Sequence, residues 1–444
     1  MPAEPIDTTL VLGGPRLVDG RTVDVGLSGG RIRTVGTPGS LAPRPISRRH
    51  DPGGGRVVDL TGWLLLPAPV EPHGHHTTAL TAPGPPADPA ALADGPPPSA
   101  ARDGGSVLRR VTEAALHHLA HGATAQRAHV PIGGADGAHA LDAALRAARS
   151  LVGLTDLRLT ADAGPLTGRA AADGRALFRE AAAMGVDALG GLPDADPDPA
   201  GCLDLLVAAA ADHDLPLDLH TDAGDPALLD RLATAVAGHR PGVVIGPCAG
   251  LARLDPGALS RAADRLAAAG VTVALLPQGP CAPLRSGAGG AEASGGSGGG
   301  RSADHPRRVP PDTAPLARLL RTAGVRVIAG SGALRDAANP VGRGDPLEAA
   351  CQLVSRGGED PGRAYSAVSD LARAALGLPA VRIEAGFPAE LLAVRGDCLP
   401  DVLSLAYSRL VVHRGRIVSR TSAVREYCDI GDGAATELPR QSTG

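Results

Sequence analysis

The residue type best suited to chemistry is histidine, and two segments stand out among the 14. Residues 71–76 read Glu71-Pro72-His73-Gly74-His75-His76, and the other segment holds His220, with Asp222 two residues on. In extended backbone side chains alternate, so His73 and His75 point the same way and can share a metal, while His76 points away. Three neutral imidazoles from two segments satisfy a divalent ion such as zinc or iron and leave a position open for water. Asp222 is the candidate for proton transfer beside such an ion. The competing reading makes it a loop carboxylate before a helix starting near Pro226, where Asp225 fits the N-cap better. An isolated His-x-His pair also arises by chance, and a lone strand-end histidine commonly only packs.

Positioning these residues requires strands that end together. Apolar runs at Leu64–Pro67, 125–132, 157–161, 188–192, 216–220, 243–246, 271–276 and 325–330 read as eight strands. Between them lie helical patterns, among them 106–121, 175–184, 202–212, 226–237, 256–269 and 313–323. Strand and helix in strict alternation predict an α/β fold, a (β/α)8 TIM barrel, whose chemistry sits at the C-terminal strand ends. His73 and His75 then end strand one, His129 ends strand two facing the mouth, and His220 ends strand five. His129 is a candidate substrate-binding residue, with simple packing as its alternative. His117 and His118 fall off the apolar face of their helix and read as solvated. Both chain ends look different: short alternating runs with tight turns predict a small β-sandwich built from residues 1–62 and 381–425. The barrel takes residues 63–380, residues 286–302 read as a flexible Gly/Ser linker, and 426–444 as a tail.

Composition narrows the function. The 444 residues carry a net charge of -4, all 43 basic residues are arginine, and only six residues are aromatic. That argues against nucleic acid as a partner, since neither a strongly basic surface nor a base-stacking platform is available. No apolar run is long enough to span a membrane. The N-terminus lacks a signal-peptide pattern, and six scattered cysteines without a Cys-x-x-Cys pair read as reduced thiols, so a cytoplasmic location is expected. The expected partner is a small molecule; self-association into a homo-oligomer is left open. The aromatic shortage also leaves the barrel mouth little to stack on a flat ring.

The segment 65–75, LLPAPVEPHGH, resembles the strand-one signature of the amidohydrolase superfamily, in its cytosine deaminase branch. Further stretches match in order. They are Arg127-Ala128-His129-Val130 on strand two, residues 217–222 (LDLHTD) on strand five, His305-Pro306-Arg307-Arg308, residues 336–342 after strand eight, and Glu384–Leu391 entering the terminal sandwich. The resemblance spans nearly the whole chain. It implies a metal-dependent barrel hydrolysing C–N bonds of nucleobase-like rings, with His73, His75 and His220 as metal ligands.

The departures from that pattern are concentrated in its proton-transfer groups. The resemblance calls for an aspartate ending strand eight, where Gly332 stands, and a histidine ending strand six, where Pro247 stands. It calls for a glutamate after the strand-five histidine, where Ala223 stands, and for a base-reading glutamine on strand three, which reads Thr160-Ala161-Asp162-Ala163. Asp222, Asp225 or Asp336 could be recruited instead, and Cys248 is either a replacement ligand or a buried apolar residue. Two readings follow: a divergent amidohydrolase, or a catalytically inactive homologue that has lost metal or turnover and keeps a binding role.

Overall fold

Among the described residues, five helices begin at an Asp-Pro pair, and the pair explains where each begins. The Asp198, Asp225, Asp255, Asp345 and Asp360 carboxylates accept the backbone N–H of Gly201, Ala227, Ala258, Leu347 and Arg363. The proline that follows has no N–H to leave unpaired and a φ already suited to the first turn. Five of the 41 prolines thus punctuate helix starts.

The computed structural model describes residues 10–41, 56–82, 104–134, 136–168, 171–279 and 312–424. The expected linker 286–302, the tail 426–444 and the 305–308 motif lie outside these. The strands are β1 (Leu10–Gly13), β2 (Asp24–Ser28), β3 (Arg31–Gly36), β4 (Arg56–Asp59), β5 (Trp63–Pro67), β6 (Val70–Gly74), β7 (Ala125–Pro131), β8 (Asp156–Ala163), β9 (Ala188–Gly191), β10 (Leu217–Thr221), β11 (Val243–Pro247), β12 (Thr272–Leu275), β13 (Arg326–Ala329), β14 (Leu391–Arg395), β15 (Arg409–His413) and β16 (Arg416–Thr421). The helices are α1 (Gly104–Ala120), α2 (Gly137–Ser150), α3 (Ala171–Ala183), α4 (Pro199–Asp212), α5 (Pro226–Ala235), α6 (Pro256–Ala268), α7 (Leu316–Thr322), α8 (Pro346–Ser355), α9 (Pro361–Val368), α10 (Asp370–Ala375) and α11 (Leu399–Ser404). None is long and apolar enough to cross a membrane.

Strands β6 to β13 pair in chain order as one parallel sheet, and a bridge from Gly74 to Gly332 draws its two edges together. The expected (β/α)8 barrel is therefore present. Its lower end is filled by Val70, Ala125, Val244, Ala274 and Ile328 packed on Ala372 and Leu376 of the α10 region. The terminal strands form two four-stranded sheets, β3-β2-β1-β4 and β16-β15-β14-β5. The apolar core between them joins Leu12, Val25, Leu27 and Ile32 to Leu65, Leu391, Ala393, Leu410 and Val412.

One strand differs from expectation. The run Leu64–Pro67 belongs to β5, which pairs antiparallel with β14 in a terminal sheet. The first barrel strand is β6, two residues later. The reason lies in burial on both faces. Leu65 points into the core between the terminal sheets, while Leu64 and Leu66 join the main core beside the barrel. The same alternation splits Leu391 and Ala393 from Leu392 and Val394. A strand buried on both faces reads as a continuous apolar run, which is also how a barrel strand reads.

Candidate metal centre

The site follows from period-two alternation on β6, β7, β8 and β10. On β7, Arg127 and His129 are two residues apart and share a face; on β10, Asp218 and His220 do the same. Asp162 stands one residue before the end of β8, and His73 lies on β6 with His75 just beyond it. A register shift between Glu71 and Gly74 bends β6 against β7 at this point. All of these side chains are buried within the barrel, with His73 and His129 at 0% exposure.

Four imidazoles converge there. The ring centroids of His73, His75, His129 and His220 lie 4.2–5.5 Å apart. The Nε2 atoms of His75 and His220 are 3.2 Å apart. Two ligands on a tetrahedral zinc, at about 2.0–2.1 Å each, have their donor atoms about 3.3 Å apart. One ring nitrogen from each of His73, His129 and His220 falls in a group whose members are all within 4.8 Å of one another; His75 stands outside that group and adjoins it through His220. His129 Nε2 is buried and makes no hydrogen bond. Burial, reinforced by the neighbouring imidazoles, keeps His75 and His129 well below the ordinary histidine range. It brings His220 down to about 3. These three rings are therefore neutral at pH 7, the form that binds metal. The donor set fits a divalent transition metal.

Two buried carboxylates stand behind the rings. Asp162 places both oxygens 3.2 Å from His129 Nδ1, and its Oδ2 lies 3.6 Å from His220 Nδ1. Burial pushes its carboxyl up to about 6. Asp218 accepts a hydrogen bond from Arg127 Nη1 at 2.8 Å and lies 3.8 Å from His73 Nδ1 and 3.6 Å from His129 Nε2. Burial raises the Asp218 carboxyl, but His129, His73 and the Arg127 guanidinium outweigh it and hold it below the usual carboxylate range.

The loop carrying the first two histidines is tied down from outside the ring cluster. Glu71, fully buried, accepts the His73 N–H at 3.0 Å and the Ser331 N–H at 2.9 Å, together with the Ser331 hydroxyl. The His75 N–H donates to the Gly332 carbonyl at 3.3 Å. Gly332 thus stands where the resemblance calls for a strand-eight aspartate and instead offers its backbone. It has φ +69°, and a Cβ there would sit 3.0 Å from Leu276 Cδ1.

His73, His75 and His220 come together as the sequence suggested. His129, expected as a substrate-binding or packing residue, joins them directly. Asp222 does not: its carboxylate is paired with Arg253 and its backbone N–H donates to Asp194 at 2.7 Å. Asp225 caps α5, as expected. Cys248 is fully buried among apolar side chains. His76 turns away from the centre, as alternation required, and bonds Gln126 at 2.8 Å. His118 is not solvated: it is buried, stacks on His76 at 5.0 Å and lies 3.9 Å from Glu71, because the chain at Gly344 closes over it. Asp162, Asp218 and Arg127 carried no expected role. The signal for two of them was present, since Arg127-x-His129 and Asp218-x-His220 share the His-x-His spacing.

No family model matches the chain. A curated relative, pterin deaminase of Rhizobium rhizogenes, is 30% identical over 260 residues, covering 56% of this chain. The chain spans about half the length of that relative, 54%. Among solved structures, N-isopropylammelide isopropylaminohydrolase of Burkholderia multivorans is similar with a TM-score of 0.71 and 24% identity, over 93% of this chain and 99% of that one. The 5-methylcytosine deaminase of Klebsiella pneumoniae, solved with phosphonocytosine, has a TM-score of 0.71 and 20% identity, over 95% and 100%. The fold, barrel and terminal sheets together, is the one these deaminases and aminohydrolases share, in line with the resemblance read from the sequence.

Proposed function

We propose that the chain is a metal-dependent hydrolase that breaks a C–N bond in a cyclic amidine or nucleobase-like small molecule. The observation that carries this reading is the convergence of buried imidazoles from β6, β7 and β10 at the C-terminal ends of the barrel strands. The kinds of molecule named in the relatives, a pterin, a methylated cytosine and an aminotriazine, support the substrate class. A divalent metal bound there, zinc or iron, supplies an activated water near neutral pH and polarises the bond under attack.

The protein's own part is to hold the donors ready. His75, His129 and His220 are neutral before any metal arrives, so binding displaces no proton from them. Asp218, ionised and fixed by Arg127, anchors the lower edge of the ring cluster. Glu71 and Ser331 hold the backbone that carries His73 and His75. A proton-transfer role for Asp222 requires its Arg253 pair to open as substrate enters.

Elemental analysis of the purified protein is the first test. Stoichiometric zinc or iron, largely lost in His220→Ala, is expected; less than about 0.1 equivalent in the wild type would sink the reading. Release of ammonia or amine from a panel of pterins, cytosines and aminotriazines is the second, with Asp222→Asn as the probe of proton transfer.

A second reading is a barrel that binds ligand without turning it over. Gly332 and the Asp222–Arg253 pair favour it, because neither leaves an acid–base carboxylate free beside the imidazoles. Stoichiometric metal with no turnover across the panel selects it.

A further inference from the structure

We propose that His129 of β7 is the fourth imidazole of the metal centre and that Asp162 of β8 is the positioning residue that aims it. Strands two and three then supply what strand eight has lost, and the water of the proposed reaction would be a fifth ligand. This inference rests on the metal-dependent reading above and assigns residues within it.

The argument is one of tautomers. A neutral imidazole has one N–H and one lone pair, and a carboxylate facing one nitrogen fixes the proton there and the lone pair on the other. Asp162 faces the Nδ1 of His129 at 3.2 Å with both oxygens, and the Nδ1 of His220 at 3.6 Å with Oδ2. Asp162 therefore accepts a hydrogen bond from His129 Nδ1 and turns the Nε2 lone pair of that ring inward, and it stands near the Nδ1 side of His220; Asp218 Oδ2 lies 3.6 Å from His129 Nε2, beyond hydrogen-bond distance. His220 Nε2 lies 3.2 Å from His75 Nε2, as two ligands on one ion would. His129 Nε2 is buried with no hydrogen bond, although buried ring nitrogens are normally satisfied. Its ring centroid is 4.2 Å from that of His73 and 4.4 Å from that of His220.

The neighbouring strand leaves room for this carboxylate. Gly190 on β9 is one of the tightest positions in the barrel. A Cβ there would stand 2.3 Å from Asp162 Oδ1, 2.6 Å from the Asp218 carbonyl and 2.7 Å from Thr160 Cγ2. Any larger residue displaces Asp162 or the strands themselves. The end of β8, where the resemblance calls for a glutamine that reads the substrate, faces the backs of two metal-binding rings instead. Substrate selection must come from other residues at the mouth.

The test uses the full chain, stripped with a chelator and reloaded with Zn²⁺ or Co²⁺. Zinc affinity is measured by competition with a chelating dye, and the imidazoles around bound zinc are counted by X-ray absorption. Four imidazoles are expected in the wild type and three in His129→Gln. Asp162→Asn, which keeps the shape and removes the charge, is expected to weaken zinc about 10–100-fold and to alter the visible spectrum of the cobalt form. Gly190→Ala changes no donor and no charge and is expected to act in the same direction. Three imidazoles in the wild type, or Asp162→Asn within about 3-fold of wild-type affinity, overturns the inference and leaves the metal-dependent hydrolase standing. A wild type that takes up no metal overturns that broader reading itself. Should His129→Gln fail to fold by circular dichroism, the wild-type imidazole count and Asp162→Asn still decide.

Discussion

Replacing Arg127 with methionine should expose how the metal centre is supported from below. Arg127 is 2% exposed and its partner Asp218 is fully buried, so Arg127→Met leaves a buried carboxylate without its guanidinium. Breaking a buried pair by removing one partner costs about 3–5 kcal/mol, because the remaining charge stays desolvated. The effect should depend on pH. In the wild type the Asp218 carboxyl is held low, so the pair's contribution is full above the unfolded value of about 3.9 and fades only as pH falls toward the folded one. Burial is the largest influence on that carboxyl and pushes it up; with Arg127 gone, only the imidazoles oppose it. A raised carboxyl reverses the sign: the penalty is greatest at high pH and is relieved by protonation. Urea unfolding of the metal-stripped protein at pH 8 and at pH 5.5 should therefore show the larger loss at pH 8. Adding Asp218→Asn to Arg127→Met should recover about 1–3 kcal/mol, the coupling expected of residues in direct contact. A pH-independent loss below about 1 kcal/mol, with no recovery in the double variant, would refute the claim that this pair anchors the site.

Other outcomes follow from single positions. Placing the strand-eight carboxylate as Gly332→Asp should cost about 1–3 kcal/mol of stability rather than add activity, since φ is +69° and the new Cβ would press on Leu276 Cδ1 at 3.0 Å; unfolding curves beside an activity assay check this. Asp225→Ala removes the α5 N-cap and should lower stability by about 1 kcal/mol, with metal content unchanged by elemental analysis. Glu71→Leu leaves the buried Ser331 N–H and the His73 N–H without their acceptor. It should both destabilise the fold by roughly 1–3 kcal/mol and lower zinc affinity, read by unfolding and by dye competition. Zinc retained at wild-type affinity in that variant would separate the loop's stability from its role in presenting His73 and His75.

The sequence by itself determined the kind of fold and three of the four imidazoles that come together. Alternation of strand and helix, Asp-Pro starts and two-residue spacing in His73-x-His75 are local facts, and local geometry is enough to carry them into the barrel. The pairing of strands is not local. Leu64–Pro67 reads like a barrel strand because β5 is buried on both faces, and only its register with β14 places it in a terminal sheet. The fourth imidazole was hidden for a related reason. His129 sits alone in its segment, and its partners come from β6, β8 and β10, so nothing within reach along the chain marks it as more than a substrate-binding or packing residue. Asp162 is harder still, since its role exists only because Gly190 on the next strand gives its carboxylate space behind two rings. Asp222, best placed along the chain, is drawn to Arg253, which lies 31 residues away in sequence. Residue type and spacing fix which groups share a face. Which faces meet, and which carboxylate ends beside which imidazole, is decided by strand order and register in the closed barrel.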